Sequence, residues 1–237
     1  MQRRIMKAVI FDLDGTLLDS MGIWRHAGEI YLRSFGIEAE PGMSDEILKL
    51  TIRGGAEYII KRYGLPVMPE EAVRGINGVM ERAYAHDILP KEGALELIKE
   101  LERRGIPMAV ATATDRYLVD IALRRFDMAR CFAGIVTCTE VGVGKRDGAD
   151  VYEAALKFIG AQKADCWVFE DSPHAALTAL KAGFKVAGVK DIGGGNDQAE
   201  LKADSSIYLE SLSPAAAVLS ALSLIHISEP TRLDVIS

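Results

Sequence analysis

Acidic, hydroxyl-bearing and lysine side chains recur in this sequence where short apolar runs end. The run Lys7 to Phe11 (KAVIF) leads into Asp12-Leu13-Asp14-Gly15-Thr16. Alternation along an extended chain aims Asp12 and Asp14 the same way. Two carboxylates that close repel, and their pKa values are driven apart unless a cation lies between them. The pair therefore suits a metal site, or a nucleophile beside an acid/base group. Gly15 permits close approach of the backbone to a ligand. A second run ends in Thr112-Ala113-Thr114, hydroxyls and backbone N–H groups that lead into a helix, and a helix N-terminus is a ready anion site. Lys145, in VGVGKRDGAD, offers a fixed positive charge after a third run, and a fourth run ends in Glu170-Asp171 followed by Ser172-Pro173. Hard oxygen donors of this kind suit Mg²⁺, which binds through one or two carboxylates together with waters and a phosphate.

The elements that must hold these groups follow from the apolar pattern. KAVIF reads as a buried parallel strand. From Ser20 to about Ala85 the pattern is helical with no strand. Trp24, Ala27, Tyr31 and Ser34/Phe35 lie at helical spacing, Gly54-Gly55 and Gly64-Leu65-Pro66 break the pattern, and a further helix covers Glu70 to Tyr84. After Pro90 the chain alternates. Helices are expected at Gly93–Arg104, Arg116–Phe126, Asp150–Ile159 and His174–Ala182, and strands at PMAVATAT, GIVTC, CWVFED and FKVAGV. Such alternation means βαβ units and a parallel sheet, which carries ligands at the carboxyl ends of its strands. The expected fold class is α/β, a Rossmann-like parallel sheet core over residues 1–18 and 90–221 with an all-helical cap inserted at 19–89. Gly193–Gly195 reads as a flexible turn; it lacks the lysine and hydroxyl of a P-loop.

Composition narrows the partners. The chain has 237 residues, 49% apolar and 26% charged, with 28 Lys plus Arg against 34 Asp plus Glu and a net charge of −6. There is no basic tract, which argues against a nucleic-acid partner. No apolar stretch reaches the roughly 18 residues of a membrane span. The N-terminal arginines are followed by an apolar run too short for a signal peptide. Cys131, Cys138 and Cys166 form no close pair and read as reduced thiols of a cytoplasmic protein, expected as a monomer or a dimer. The segment Leu222 to Arg232, LSLIHISEPTR, breaks with the preceding charge pattern and resembles the translation of a transposon-end sequencing adapter. Residues 222–237 are read as a tail and not a domain, and His226 as no ligand.

FDLDGTLLDS, the hydroxyl ending the next core strand, a lysine ahead of the DVYEAAL helix, and VFEDSPHAALTALKAGF together resemble the haloacid dehalogenase superfamily. The likeness is to its phosphatase and β-phosphoglucomutase-like branch, covers residues 6–210, and rests on four motifs in order. It implies a Mg²⁺-dependent phosphatase acting on a small phosphorylated, phosphosugar-like metabolite. Asp12 then matches the nucleophile that becomes an aspartyl phosphate, and Asp14 the general acid/base. Thr112 and the Ala113 N–H match the phosphoryl-binding groups, with Gly15 beside them, and Lys145 matches the charge-balancing lysine. Glu170 and Asp171, with Asp12 and the Asp14 carbonyl, match the metal site.

Two departures accompany the likeness. The third motif reads Lys145-Arg146-Asp147-Gly148-Ala149-Asp150 without the family's prolines, which leaves Arg146 as a rival to the favoured Lys145. In the cap, the mutases' histidine is matched by Trp24, and His26 reads as an ordinary surface or core residue. A phosphosugar mutase shares every core residue and is the alternative activity. A non-catalytic phosphoacceptor or binding module, similar to receiver domains, is the alternative of another class. Arg53, in LTIRGG, is the candidate cap contact to substrate, while Lys61, Arg62, Arg74 and Arg82 read as surface charges.

Overall fold

The computed structural model describes residues 6–47, 50 and 52–224. Residues 225–237 of the adapter-like tail, with His226, and the N-terminal arginines lie outside them. Strand β1 (Ala8–Phe11) is followed by helices α1 (Met21–Arg33), α2 (Met43–Ile47), α3 (Ile52–Tyr63) and α4 (Pro69–Arg82). A single π-helical turn, Ala83–Asp87, extends α4. Helix α5 (Ala94–Arg103), β2 (Met108–Thr112), α6 (Arg116–Arg125), β3 (Gly134–Thr137), α7 (Cys138–Val141) and α8 (Asp150–Ile159) come next. The chain continues through β4 (Cys166–Glu170), α9 (Pro173–Lys181), β5 (Lys185–Val189), α10 (Gln198–Ala203), β6 (Ile207–Leu209) and α11 (Ala215–Leu224).

The strands form one parallel sheet in the order β3-β2-β1-β4-β5-β6. Period-two alternation sends Val9, Phe11, Met108, Val110, Trp167 and Phe169 to one face, where they meet α5, α6, α11 and the helices inserted after β1. The smaller Ala8, Ile10, Ala109, Ala111, Cys166 and Val168 face α8, α9 and α10. Phe11, Ile10, Trp167 and Phe169 are fully buried. Each contributes about 1.5–3 kcal/mol, which fixes how far each strand runs before polar residues take over. This is the α/β, Rossmann-like parallel sheet that the alternation implies.

Between Ser20 and Leu89 the described residues hold no strand. The two crossings that join this helical segment to the sheet run side by side. Leu18 bridges Pro90, the Asp19 N–H donates to Leu89 O at 2.9 Å, and the Lys91 N–H donates to Leu17 O at 2.9 Å. Two differences from the periodicity reading concern the end of the chain. Strand β6 has only three residues, too few to show an alternation, so the sequence pattern misses it. Helix α11 runs through Leu224 and so includes the first three residues of the segment read as a tail, of which Leu222 is fully buried. Cys166 is buried, Cys131 and Cys138 are half-buried, and all three are free thiols. No helix among the described residues is long and apolar enough to cross a membrane.

Candidate active site

The order of the strands reverses between β1 and β4: from β1 the chain adds β2 and β3 on one side, and β4, β5 and β6 build outward on the other. Crevices at such a reversal are where open α/β sheets bind ligands. Register makes the crevice acidic. Phe11 pairs with Phe169, and the Asp12 N–H donates to Phe169 O at 3.0 Å, so Asp12 emerges beside Glu170 and Asp171. Pro173 in the first turn of α9, with Ser172 as its N-cap, starts that helix directly after Asp171.

The charges gathered here are buried: Asp12 is 5% exposed, Glu170 1%, Asp171 3% and Lys145 9%. The Lys145 ammonium donates to both Asp12 Oδ1 and Glu170 Oε1. Glu170 also accepts from the Tyr152 hydroxyl at 2.8 Å and from the Ser172 N–H at 3.3 Å. Burial pushes the Asp12 carboxyl up to about 8, against the neighbouring Lys145 charge and helped by those of Glu170 and Asp14. Burial likewise holds Asp171 well above the usual carboxylate range, and the charges of Asp12, Glu170 and Asp191 add to it. Burial alone would lower Lys145, but Asp12 and Glu170 outweigh it and raise its pKa. One ammonium thus faces three buried carboxylates.

That imbalance tests the cluster as a cation site. Asp12, Glu170 and Asp171 each offer an oxygen, and these atoms lie within 4.8 Å of one another. An all-oxygen, net-negative donor set in a buried crevice fits a hard divalent cation.

Asp14 is held differently. The Ser20 hydroxyl donates to its Oδ1 at 2.6 Å and the Thr114 hydroxyl to its Oδ2 at 2.6 Å, and the Tyr84 hydroxyl also donates to Oδ1. Thr112 is buried at the end of β2, and its Oγ1 accepts the Thr114 N–H at 3.1 Å. Ala113 between them is exposed. The backbone of Gly15 has φ +80°, and a Cβ built there would stand 2.4 Å from Asp171 Oδ2. Gly15→Ala therefore meets both left-handed strain and a collision with a cluster acid. It is expected to weaken divalent-cation binding at least tenfold by calorimetry, on the order of 1.4 kcal/mol of displaced ligand. Unchanged affinity would show that Asp171 does not need its present position.

The structure gathers Asp12, Asp14, Gly15, Thr112, Ala113, Lys145, Glu170 and Asp171 at one sheet edge. It does not bring Arg53 there. The Arg53 guanidinium is exposed on α3, 3.1 Å from Glu57 and 3.0 Å from Glu70. Arg146 is exposed while its neighbour Lys145 is buried between the acids. His26 is half-exposed and pairs with Glu29 at 3.1 Å. Lys61, Arg62, Arg74 and Arg82 are all exposed.

Several participants escaped the sequence reading. The Asn196 amide donates to Asp171 Oδ2 at 3.1 Å and to its backbone carbonyl at 3.3 Å. Asn196 is carried on the loop that contains Gly193–Gly195, which packs against α1 at Met21 and Gly22. Asp191 anchors this loop by accepting the Gly194 N–H at 3.0 Å and pairing with Lys91 at 2.9 Å. No spacing rule links Asn196 to Asp171. Ser20 and Thr114 were visible as hydroxyls next to the two motifs, and Tyr152 lies within the DVYEAAL helix.

The haloacid dehalogenase-like hydrolase family model matches residues 9–189. The chain belongs to that family. A CbbY protein of Cupriavidus necator is 30% identical over 195 residues, covering 76% of each chain. A phosphorylated carbohydrates phosphatase of Thermotoga maritima is 25% identical over 180 residues, covering 76% of this chain and 83% of its own. The chain spans half the length of a bifunctional riboflavin kinase/FMN phosphatase of Arabidopsis thaliana, to which it is 29% identical over 191 residues. A crystal structure of a β-phosphoglucomutase candidate from Thermotoga maritima superposes with a TM-score of 0.80 at 24% identity, over 92% of this chain and 100% of that one. Family and relatives place the chain in the phosphatase branch of these hydrolases.

Proposed function

We propose that this family member is a Mg²⁺-dependent phosphatase that hydrolyses a small phosphorylated, sugar-like metabolite through an aspartyl phosphate on Asp12. The observation that carries the reading is the Asp12 carboxylate itself, buried between the Lys145 ammonium and the acids Glu170 and Asp171, with Asp14 two residues on in a separate cage of hydroxyls. Held so, Asp12 attacks phosphorus with one oxygen while Lys145 restrains the other and offsets the charge that accumulates. Thr112 and the Ala113 N–H, on the turn between β2 and α6, receive the phosphoryl oxygens. Asp14 protonates the leaving oxygen and then takes a proton from the water that attacks the aspartyl phosphate. Asp12, Glu170 and Asp171, with the Asp14 carbonyl, would hold Mg²⁺, which when bound neutralises phosphate charge. The sugar-like substrate class draws on the carbohydrate-phosphate phosphatase among the relatives.

Hydrolysis is favoured over phosphosugar transfer by Trp24. Its indole N–H is committed to the Tyr84 oxygen at 3.0 Å, at the position where the mutases resembled by the sequence carry a histidine. A non-catalytic phosphoacceptor has no use for an acid/base carboxylate held beside the nucleophile.

The test is metal dependence with binding as a second readout. Turnover of 4-nitrophenyl phosphate should fall to background in excess chelator and return with Mg²⁺. In Asp171→Ala, Mg²⁺ affinity measured by calorimetry should drop about 10–100-fold or more, the scale seen when a metal site loses a group that orients it. Undiminished turnover in chelator, or undiminished affinity in the variant, rules the metal assignment out.

A further inference from the structure

Three hydroxyls hold Asp14, and they come from different parts of the chain. Ser20 lies just after the first motif and Thr114 at the end of the β2 turn, both at the sheet edge. Tyr84 alone comes from the far end of the helical segment, 70 residues along the chain. Its ring is fully buried, so its hydroxyl has no water to turn to. The Trp24 indole N–H donates to the Tyr84 oxygen at 3.0 Å, and the two rings meet edge to face with centroids 6.5 Å apart. An indole N–H can only donate. With the oxygen accepting from the indole, the tyrosine hydrogen is donated to Asp14 Oδ1.

The backbone around Tyr84 is built to hold this geometry. Tyr84 sits in the π-helical turn Ala83–Asp87 at the end of α4. π turns leave carbonyls irregularly placed and often accompany functional sites. Here Arg125, from α6 of the sheet core, takes those carbonyls. It donates to Tyr84 O at 3.1 Å, to His86 O at 2.7 Å and to Ile88 O. Core helix α6 thus clamps the end of the helical segment, and α1 supplies the indole. The Tyr84 hydroxyl bonds the Asp14 side chain, not the carboxylates of the acidic cluster. Trp24 and Arg125 thus hold Tyr84, and Tyr84 holds the Asp14 carboxylate.

We propose that Tyr84, oriented by Trp24, is a positioning residue through which the helical segment sets the Asp14 carboxylate for proton transfer to the leaving group. The inference rests on the acid/base reading of Asp14 given above. It makes leaving-group protonation depend on the helical segment being seated on the core, since Tyr84 and Trp24 are both carried by it. It also gives the Trp24 indole a use inward, on the tyrosine that holds the enzyme's own acid.

The experiment compares two probes of nearly equal shape, 4-nitrophenyl phosphate and phenyl phosphate. The first leaves with little need of a proton, and the second needs one. Tyr84→Phe keeps the buried ring and removes only the hydroxyl. It should lower kcat/KM, which reports phosphoryl transfer to Asp12, on the order of tenfold more for phenyl phosphate than for 4-nitrophenyl phosphate, the size of a lost hydrogen bond to a charged group. Mg²⁺ affinity should stay near that of the parent. Trp24→Phe, which leaves Tyr84 in place, should change the ratio in the same direction and serves alone if Tyr84→Phe does not fold. Equal slowing of both probes, or no slowing, in the folded variants overturns the positioning role. Asp14→Asn separates the two readings. If it shifts the ratio and the Tyr84 and Trp24 variants do not, only the present inference falls. If Asp14→Asn itself shows no leaving-group dependence, the acid/base role falls and this inference with it.

Discussion

Asp14→Asn is expected to accumulate a phosphoryl group on Asp12, and Asp12→Asn to carry none. Asp12 is buried against Lys145 with an oxygen available for attack, so its amide removes the nucleophile outright. In Asp14→Asn the nucleophile, Lys145 and the acidic cluster remain. An aryl phosphate with a good leaving group needs little protonation, so the first step proceeds slowly. The second step needs a proton removed from water near Asp12, and an amide cannot accept it. The substitution should be tolerated structurally. Ser20, Thr114 and Tyr84 donate to the two carboxylate oxygens, and a hydroxyl can reverse its role to accept from an amide NH₂. Each variant should lose about a hundredfold or more in turnover, the scale of a missing acid/base. Intact-protein mass spectrometry after rapid acid quench distinguishes them. A phosphoryl group in Asp12→Asn, or on any side chain but Asp12, would falsify the mechanism.

Lys145→Met should cost both activity and fold. The lysine is buried and donates to Asp12 and Glu170, and removing it leaves two carboxylates facing each other with Asp171 close by. Breaking a buried ion pair from one side typically costs about 3–5 kcal/mol. Part of this will be recovered by protonation of Asp12, whose carboxyl burial already pushes up to about 8. Urea unfolding in chelator should show a loss of about 2–4 kcal/mol on this basis, and turnover should fall at least a hundredfold, as when a charge-stabilising donor is lost. Arg146→Ala is the control. Arg146 is exposed, and a surface change of that kind stays within about 0.5 kcal/mol, with turnover within about twofold. Loss of turnover in Arg146→Ala with Lys145→Met active would transfer the role to the arginine.

The α/β class was legible because buried parallel strands and amphipathic helices have different periods, and residues after Pro90 alternate between them cleanly. Asp12, Asp14, Lys145, Glu170 and Asp171 were legible for a related reason. A strand such as Cys166–Glu170, buried along its length, does not end in charge without a partner. Sequence spacing was a poorer guide to cations outside the sheet. Arg53 sits in a break between helical stretches, as an active-site arginine could. Two glutamates on its own and the next helix take its guanidinium instead. The altered third motif favoured Lys145 but left its neighbour Arg146 as a rival. Burial separates them at once, because only one of two neighbours on a turn can face the crevice.

By itself the sequence determined the sheet, the order of the motifs along it and the residue types that line its carboxyl edge. These depend on local period and on the cost of burying unpaired polar groups, and both are written in consecutive residues. The tertiary structure alone decided which side chains serve those residues. Asn196 reaches Asp171 from a loop 25 residues on, and Tyr84 reaches Asp14 across 70. Both contacts are made by single polar atoms with no repeat and no spacing rule. They exist because the loop after β5 and the π-helical turn each fold against the sheet edge, and a hydrogen bond is satisfied by position in space and leaves no period in the chain.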